Sequence, residues 1–265
     1  MSTTIQVCES QTHIWQTNEG LKAILLHGEF GDAATYWKAI TPALAARLAL
    51  ICPDLPGFGA STPMVDARLQ TYLYWLRGLI DQVSDQPVIL GGCGYGAVIA
   101  RFYASRYPQQ IRRLILSGGG DVVRPSPIQR WLGHLTGRSH NSVDPANSRT
   151  LGNLFYAPGD FCTPDFVRHA ERERPAALRA LRSLATDPLP TAWTPICPTL
   201  LIWGNEDRYC PLTRQRALAH ELQDPRTVEI FEAGHLVMIE QPRRFVAHVL
   251  DFLQPVLLEA NTPRS

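Results

Sequence analysis

The chain has 265 residues, 45% of them hydrophobic, enough to bury one large core as a single α/β unit. Its 25 basic and 24 acidic residues leave a net charge of +1, which gives no electrostatic case for nucleic acid or an anionic membrane as a partner. No apolar run approaches the roughly 18 residues of a membrane span, and the opening Met1-Ser-Thr-Thr-Ile-Gln has neither the basic nor the apolar region of a signal peptide. The six cysteines (8, 52, 93, 162, 197 and 210) form no C-x-x-C pair and have no zinc-like spacing to histidine. Free thiols in a reducing cytoplasm are therefore expected, with no metal and no cofactor.

Residues 13–17 and 22–26 read as short strands, the second running into His27-Gly28-Glu29-Phe30-Gly31. Residues 37–48 read as a helix with Pro42 in its first turns, and 48–52 as an apolar strand ending at Pro53-Asp54-Leu55-Pro56-Gly57-Phe58-Gly59-Ala60-Ser61. An amphipathic helix over 71–83 leads to the apolar strand Pro87-Val88-Ile89-Leu90, a glycine turn, and an apolar helix from Ala97 to Tyr107. The next strand, 111–116, closes on Ser117-Gly118-Gly119-Gly120. From Asp121 to about Thr191 the pattern changes to many prolines, nine arginines and no strand, with Thr163-Pro164-Asp165 as a helix start. This segment, 121–191, is expected to be a small helical cap inserted between core segments 1–120 and 192–265, with Trp131 and Phe155 as candidate pocket-lining aromatics. Alternation resumes with a strand over 197–203, a helix over 211–222, a strand over 227–231 and a final helix from Pro242 to about Leu257. The expected fold is thus a mainly parallel central sheet with helices on both faces and a site at the strands' carboxyl ends.

The stretch with the most chemistry is Gly92-Cys93-Gly94-Tyr95-Gly96. Strand, sharp glycine turn and helix form the frame of a nucleophile elbow, G-x-S-x-G, with Gly94 where the attacking oxygen would be. The alternative register, Gly91-Gly92-Cys93-Gly94-Tyr95, makes Cys93 the nucleophile but puts Tyr95 where a second glycine must let helix and sheet approach. Gly96, Ala100 and Ala104 form a small-residue face at four-residue spacing, which favours the Gly94 register.

Four stretches in order resemble the α/β-hydrolase family over nearly the whole chain. His27-Gly28 followed by Trp37 resembles its oxyanion loop, and residues 53–61 are similar to its D-x-x-G-x-G-x-S turn. Residues 200–211 resemble the acid loop, and Ala233-Gly234-His235 followed by Glu240-Gln241-Pro242 the histidine loop. The resemblance implies Asp207 as catalytic acid, His235 as catalytic base, and oxyanion or substrate contacts at Gly28, Glu29 and Tyr95, with His27 structural. The departure is Gly94, which has no side chain to attack with.

What remains without a nucleophile is a His-Asp dyad, able to deprotonate a substrate or activate a water. Three functions follow. The first is a general-base enzyme of lyase, isomerase, cyclase or cofactor-free oxygenase type on a small, largely apolar substrate, for which Gly94→Ala should cost little. The second is an esterase or thioesterase using Cys93, and the third a non-catalytic ligand-binding protein. Glu29 either points inward, adding a carboxylate to the site, or faces solvent or a neighbouring loop. Substrate identity and oligomeric state are not written in the sequence.

Overall fold

The computed structural model of the chain describes residues 1–17, 19–121, 144–186 and 194–260. Trp131 and part of the arginine-rich segment lie outside these. Eight strands form one sheet among the described residues: β1 (Ser2–Val7), β2 (Ser10–Gln16), β3 (Lys22–Leu26), β4 (Ala49–Pro53), β5 (Val88–Cys93), β6 (Ile111–Ser117), β7 (Thr199–Gly204) and β8 (Arg226–Ile230). Their order is β1-β2-β4-β3-β5-β6-β7-β8. Every pairing from β4 onward is parallel, while β1–β2 and β2–β4 are antiparallel.

The helices are α1 (Ala33–Trp37), α2 (Thr41–Ala45), α3 (Leu69–Val83), α4 (Tyr95–Arg106), α5 (Ser148–Gly152), α6 (Pro158–Phe161), α7 (Pro164–Thr186), α8 (Leu212–Glu221), α9 (Val237–Glu240) and α10 (Pro242–Ala260). The side chains of each buried strand alternate between two cores, as the pleat requires. Ile24 and Leu26 face a core shared with α3 and α4, whereas Ala23 and Leu25 face one shared with α1, α2 and α10. Burial on both faces explains why the central strands read as continuous apolar runs.

Two local expectations need correction. The single helix over 37–48 is two short ones. Asp32 caps α1, its Oδ1 accepting the Thr35 N–H at 2.9 Å, and Pro42 opens α2 because it has no N–H to continue the first helix. Strand β1 went unread because only Val7 of its six residues is fully buried, so its alternation is weak. It exists because β2 offers it a ladder after a tight turn through Cys8, at φ 50°.

Between β6 and β7, the described residues are helical. Helix α7 docks on the core through Glu173, whose Oε2 accepts the Gly59 N–H at 2.9 Å, and through His169 Nε2, 2.9 Å from Asp32 Oδ2.

The closest backbone approach is where α4 leaves β5. A Cβ on Gly96 would lie 2.3 Å from the Leu26 carbonyl oxygen and 2.4 Å from that of His27. Both are backbone atoms of the sheet and cannot step aside. Gly96→Ala should therefore cost at least about 3 kcal/mol, the upper range for overpacking, read as a lowered denaturation midpoint. A midpoint equal to the parent's would show that α4 can lift off β3 freely.

Candidate active site

Sheet order brings the predicted residues together. Parallel pairing sets Leu26 of β3 beside Gly92 of β5, and Cys93 beside Ser117 of β6. The loop leaving β3 therefore passes over the turn leaving β5, and the Gly94 N–H donates to the Ser117 carbonyl at 3.1 Å. Gly94 sits at φ 53°, ψ −120°, a conformation L side chains rarely adopt and one that functional turns hold under strain. A Cβ on Gly92 would lie 2.4 Å from the Gly96 carbonyl oxygen, so the two outer glycines need their lack of a side chain as much as the turn does.

Cys93 is not placed as a nucleophile. It is the last residue of β5, fully buried in the core that contains Ile89 and Ile115. Burial first, then the charges of Glu29 and Asp207, pushes its thiol well above the ordinary range and disfavours the thiolate.

Asp207 and His235 come from the loops after β7 and β8. The Asp207 Oδ1 accepts the backbone N–H groups of Tyr209 at 2.9 Å and Cys210 at 2.7 Å. Its Oδ2 lies 2.9 Å from His235 Nδ1. A carboxylate can only accept here, so Nδ1 carries the hydrogen and the tautomer is set. Nε2 is left buried with no hydrogen-bond partner, 3.4 Å from where a Cβ on Gly94 would stand. Burial of the ring lowers its pKa, but the charge and hydrogen bond of Asp207 and the charge of Glu29 outweigh this. The net shift is upward from the ordinary value.

Glu29 points inward and is only 3% exposed. Its Oε2 accepts the Tyr95 N–H at 2.9 Å, and its Oε1 accepts the Tyr209 hydroxyl at 2.8 Å. The Tyr95 N–H is the donor that the resemblance assigned to an oxyanion; in this chain it holds a carboxylate of the chain itself. Oε2 also lies 2.5 Å from the position of a Cβ on Gly94, closer than any real contact allows. A methyl at residue 94 would strain the backbone at φ 53° and displace the end of the Glu29 side chain.

His27 is held at both nitrogens, its Nδ1–H donating to the Gly28 carbonyl at 2.7 Å and its Nε2 accepting the Leu55 N–H at 2.9 Å, which ties the ring to the neighbouring loop. Gly28 is a close-approach glycine, since its Cβ would lie 2.5 Å from the Tyr36 hydroxyl. Phe155 is fully buried, packed on Phe161 and Phe166.

Three contributors escape sequence reasoning. Tyr209 bonds Glu29 and lays its ring edge-on to His235 at 4.9 Å. Gly118, at φ 56°, leaves room for the His235 ring, because a Cβ there would lie 2.7 Å from Cε1 and Nδ1. Glu240 ties the histidine loop to residues 156–157, its carboxylate accepting N–H groups from Gly234 at 2.6 Å, Tyr156 at 2.8 Å and Ala157 at 3.1 Å. The run Gly118-Gly119-Gly120 after a strand is the signal that could have located the second, and the place of Glu240 in the histidine loop the third; the Tyr209 contact with Glu29 spans 180 residues and has none. Among the described residues, no group of three or more His, Cys, Asp or Glu side chains could hold a metal ion, and no helix is long and apolar enough to cross a membrane.

Comparison with known proteins gives the same architecture. The chain is 28% identical over 261 residues to a 2-hydroxymuconate semialdehyde hydrolase of a Pseudomonas species, covering 92% of this chain and 90% of that one. It is 30% identical over 250 residues to the pimeloyl-[acyl-carrier protein] methyl ester esterase of Aromatoleum aromaticum, covering 83% and 92%. Among solved structures, a thermophilic esterase from Thermogutta terrifontis superposes with a TM-score of 0.80 at 24% identity, over 97% of this chain and 99% of that one. The profile described as "Alpha/beta hydrolase family" matches residues 23–248. The chain belongs to the alpha/beta hydrolase family.

Proposed function

We propose that this chain is an enzyme that moves protons at a small, largely apolar carbonyl substrate without a covalent serine step. The reaction class is lyase, isomerase, cyclase or cofactor-free oxygenase chemistry. One observation carries the reading: the buried His235 Nε2 has no partner and faces the space over Gly94, while Asp207 anchors Nδ1. Such an imidazole is oriented for proton exchange, worth typically 10²–10⁴-fold.

Conventional ester hydrolysis is disfavoured on two counts. Gly94 offers no nucleophile, and the Glu29 carboxyl group already takes the Tyr95 N–H that would stabilise a developing oxyanion. Two further relatives are named as hydrolases of 2-hydroxy-6-oxononadienedioate and of 2-hydroxy-6-oxo-2,4-heptadienoate, compounds that are both enols and ketones. Proton movement at such a substrate needs no nucleophile, which supports a carbonyl compound as the class. Residues 121–191 are read as a cap over the pocket, in keeping with the docking of α7 by Glu173 and His169.

Ring opening of 5-nitrobenzisoxazole, which follows the loss of one C–H proton, reports on such a base. His235→Ala should lower this turnover by about 10²–10⁴-fold, and equal rates in the two proteins would defeat the reading. Installing the missing oxygen is a second check. With Glu29 removed to make room, Gly94→Ser/Glu29→Ala should gain p-nitrophenyl acetate hydrolysis and covalent fluorophosphonate labelling at residue 94. A triad without its nucleophile loses on the order of 10⁶-fold, so even a poor geometry restores a measurable part. A folded double variant that does not label would mean that residue 94 does not face His235.

The raised His235 pKa has a sign that can be tested. A group whose folded pKa lies above its unfolded value of about 6.5 contributes stability that is fully present below that pH. The contribution is lost as pH rises through the folded pKa. The melting-temperature gap between the parent and His235→Gln should therefore narrow as pH rises above about 6.5. Parallel curves would show that the imidazole is not held charged.

A further inference from the structure

Gly94 and Glu29 are a matched pair. The carboxylate Oε2 occupies the place that a side chain on residue 94 would need, 2.5 Å from its Cβ position, and His235 Nε2 lies 3.4 Å from the same point. A carboxylate oxygen and an imidazole nitrogen thus both approach one point above the turn. The two donors to Glu29, the Tyr95 N–H and the Tyr209 hydroxyl, steady the carboxyl group and leave a further lone pair on each oxygen. His235, for its part, has two carboxylates around it, Asp207 behind and Glu29 in front, and presents its only unpartnered polar atom to the same volume.

We propose that Glu29 is a catalytic residue that takes over the absent serine's place, working with His235 as a base–acid pair on a carbonyl substrate bound between them. This rests on the proton-transfer reading of the site above. In the forward step Glu29 Oε2 accepts the proton from the carbon next to the carbonyl, and that C–H electron pair becomes the carbon–carbon double bond of the enol. The carbonyl π electrons move to oxygen, which takes the proton from the His235 imidazolium Nε2. The site then holds a neutral Glu29 carboxylic acid and a neutral imidazole. Return of the two protons, to the same or a conjugated carbon and from the enol oxygen, restores both groups, so no oxidant, reductant or leaving group is needed. The Tyr95 N–H, no longer assigned to an oxyanion, becomes the group that positions the base. Glycine at 94 follows, because any larger residue would push the base out of reach.

The charged groups that face the pair are Asp207 behind the imidazole and, farther off, Arg214, held by Asp121 at 2.7 and 2.8 Å. Tyr209 and Cys210, from the same acid loop, carry hydroxyl and thiol groups whose pKa values burial holds well above the ordinary range, so neither adds charge. Glu29 is thus the group on the substrate side that can take a proton.

The test is hydrogen–deuterium exchange at the α-carbon of cyclohexanone in deuterated buffer, followed by proton NMR on the full-length protein. The variants are Glu29→Gln, Glu29→Asp and His235→Ala, with melting curves to check the fold. Glu29→Gln is isosteric and can still accept the Tyr95 N–H, but it cannot take a proton. The proposal expects exchange to fall by about 10²-fold or more in both Glu29→Gln and His235→Ala. Glu29→Asp, which keeps the charge but withdraws it by one methylene, should retain an intermediate rate. If His235→Ala loses exchange while Glu29→Gln keeps the parent rate, Glu29 is not the base, although the reading of His235 stands. If the parent exchanges no faster than His235→Ala, the proton-transfer reading itself fails, and this proposal with it. Should Glu29→Gln not fold, a parent-like rate in Glu29→Asp overturns the proposal in its place, since a base withdrawn from the substrate cannot keep full rate.

Discussion

The site depends on how closely the chain leaving β5 passes the chain leaving β3. Gly96 stands where a single methyl would enter the carbonyls of Leu26 and His27, and Gly92 where one would enter the turn itself. Neighbouring parallel strands lie about 4.8 Å apart, so a helix that starts directly at a strand end must rest its first turn on the adjacent strand. That contact fixes the direction of α4, and with it the position of Gly94 and the aim of the Tyr95 N–H. It also fixes what can approach from β3. Glu29, three residues beyond the end of that strand, is delivered to the N–H of Tyr95 by the same register that seats the helix.

The electrostatics follow from that delivery. Burying a carboxylate is costly unless donors satisfy it. Asp207 has two backbone N–H groups and the His235 ring; Glu29 has one backbone N–H and a tyrosine hydroxyl. Burial of the imidazole ring lowers its pKa, but Asp207 and Glu29 outweigh this and the net shift is upward. A serine hydrolase uses the same loops to hold positive potential around a developing oxyanion. Here the Glu29 carboxyl group takes the Tyr95 N–H, and residue 94 is glycine.

Family membership therefore constrains this protein less than its relatives' names suggest. The family is shared with proteins named as a 2-hydroxymuconate semialdehyde hydrolase and a pimeloyl-[acyl-carrier protein] methyl ester esterase. Fold does not by itself fix function, which depends on the groups at the site. Helix α7 leans on the same region from outside, since Glu173 caps the Gly59 N–H and His169 reaches Asp32, the residue that also starts α1.

Much of this was legible in the sequence because it is local. Strand–turn–helix spacing at 88–106, the A-G-H loop before Glu240 and the acid loop after β7 each announce themselves within a dozen residues. The alternation of apolar strands and helices determined a mainly parallel sheet, and strand ends pointed to one crevice. The absence of a side chain at residue 94 was readable outright. The division of 37–48 into two helices was less so, since the Asp32 cap and the Pro42 break act together. Only tertiary structure decided where Glu29 points, because its partners Tyr95 and Tyr209 are 66 and 180 residues away in the chain. The same holds for Gly118, whose bareness has meaning only once β6 and the histidine loop are packed together. Local periodicity records which face of an element is buried. Whether a buried carboxylate fills a site or merely neighbours it is settled by strand register, which no window of the sequence contains.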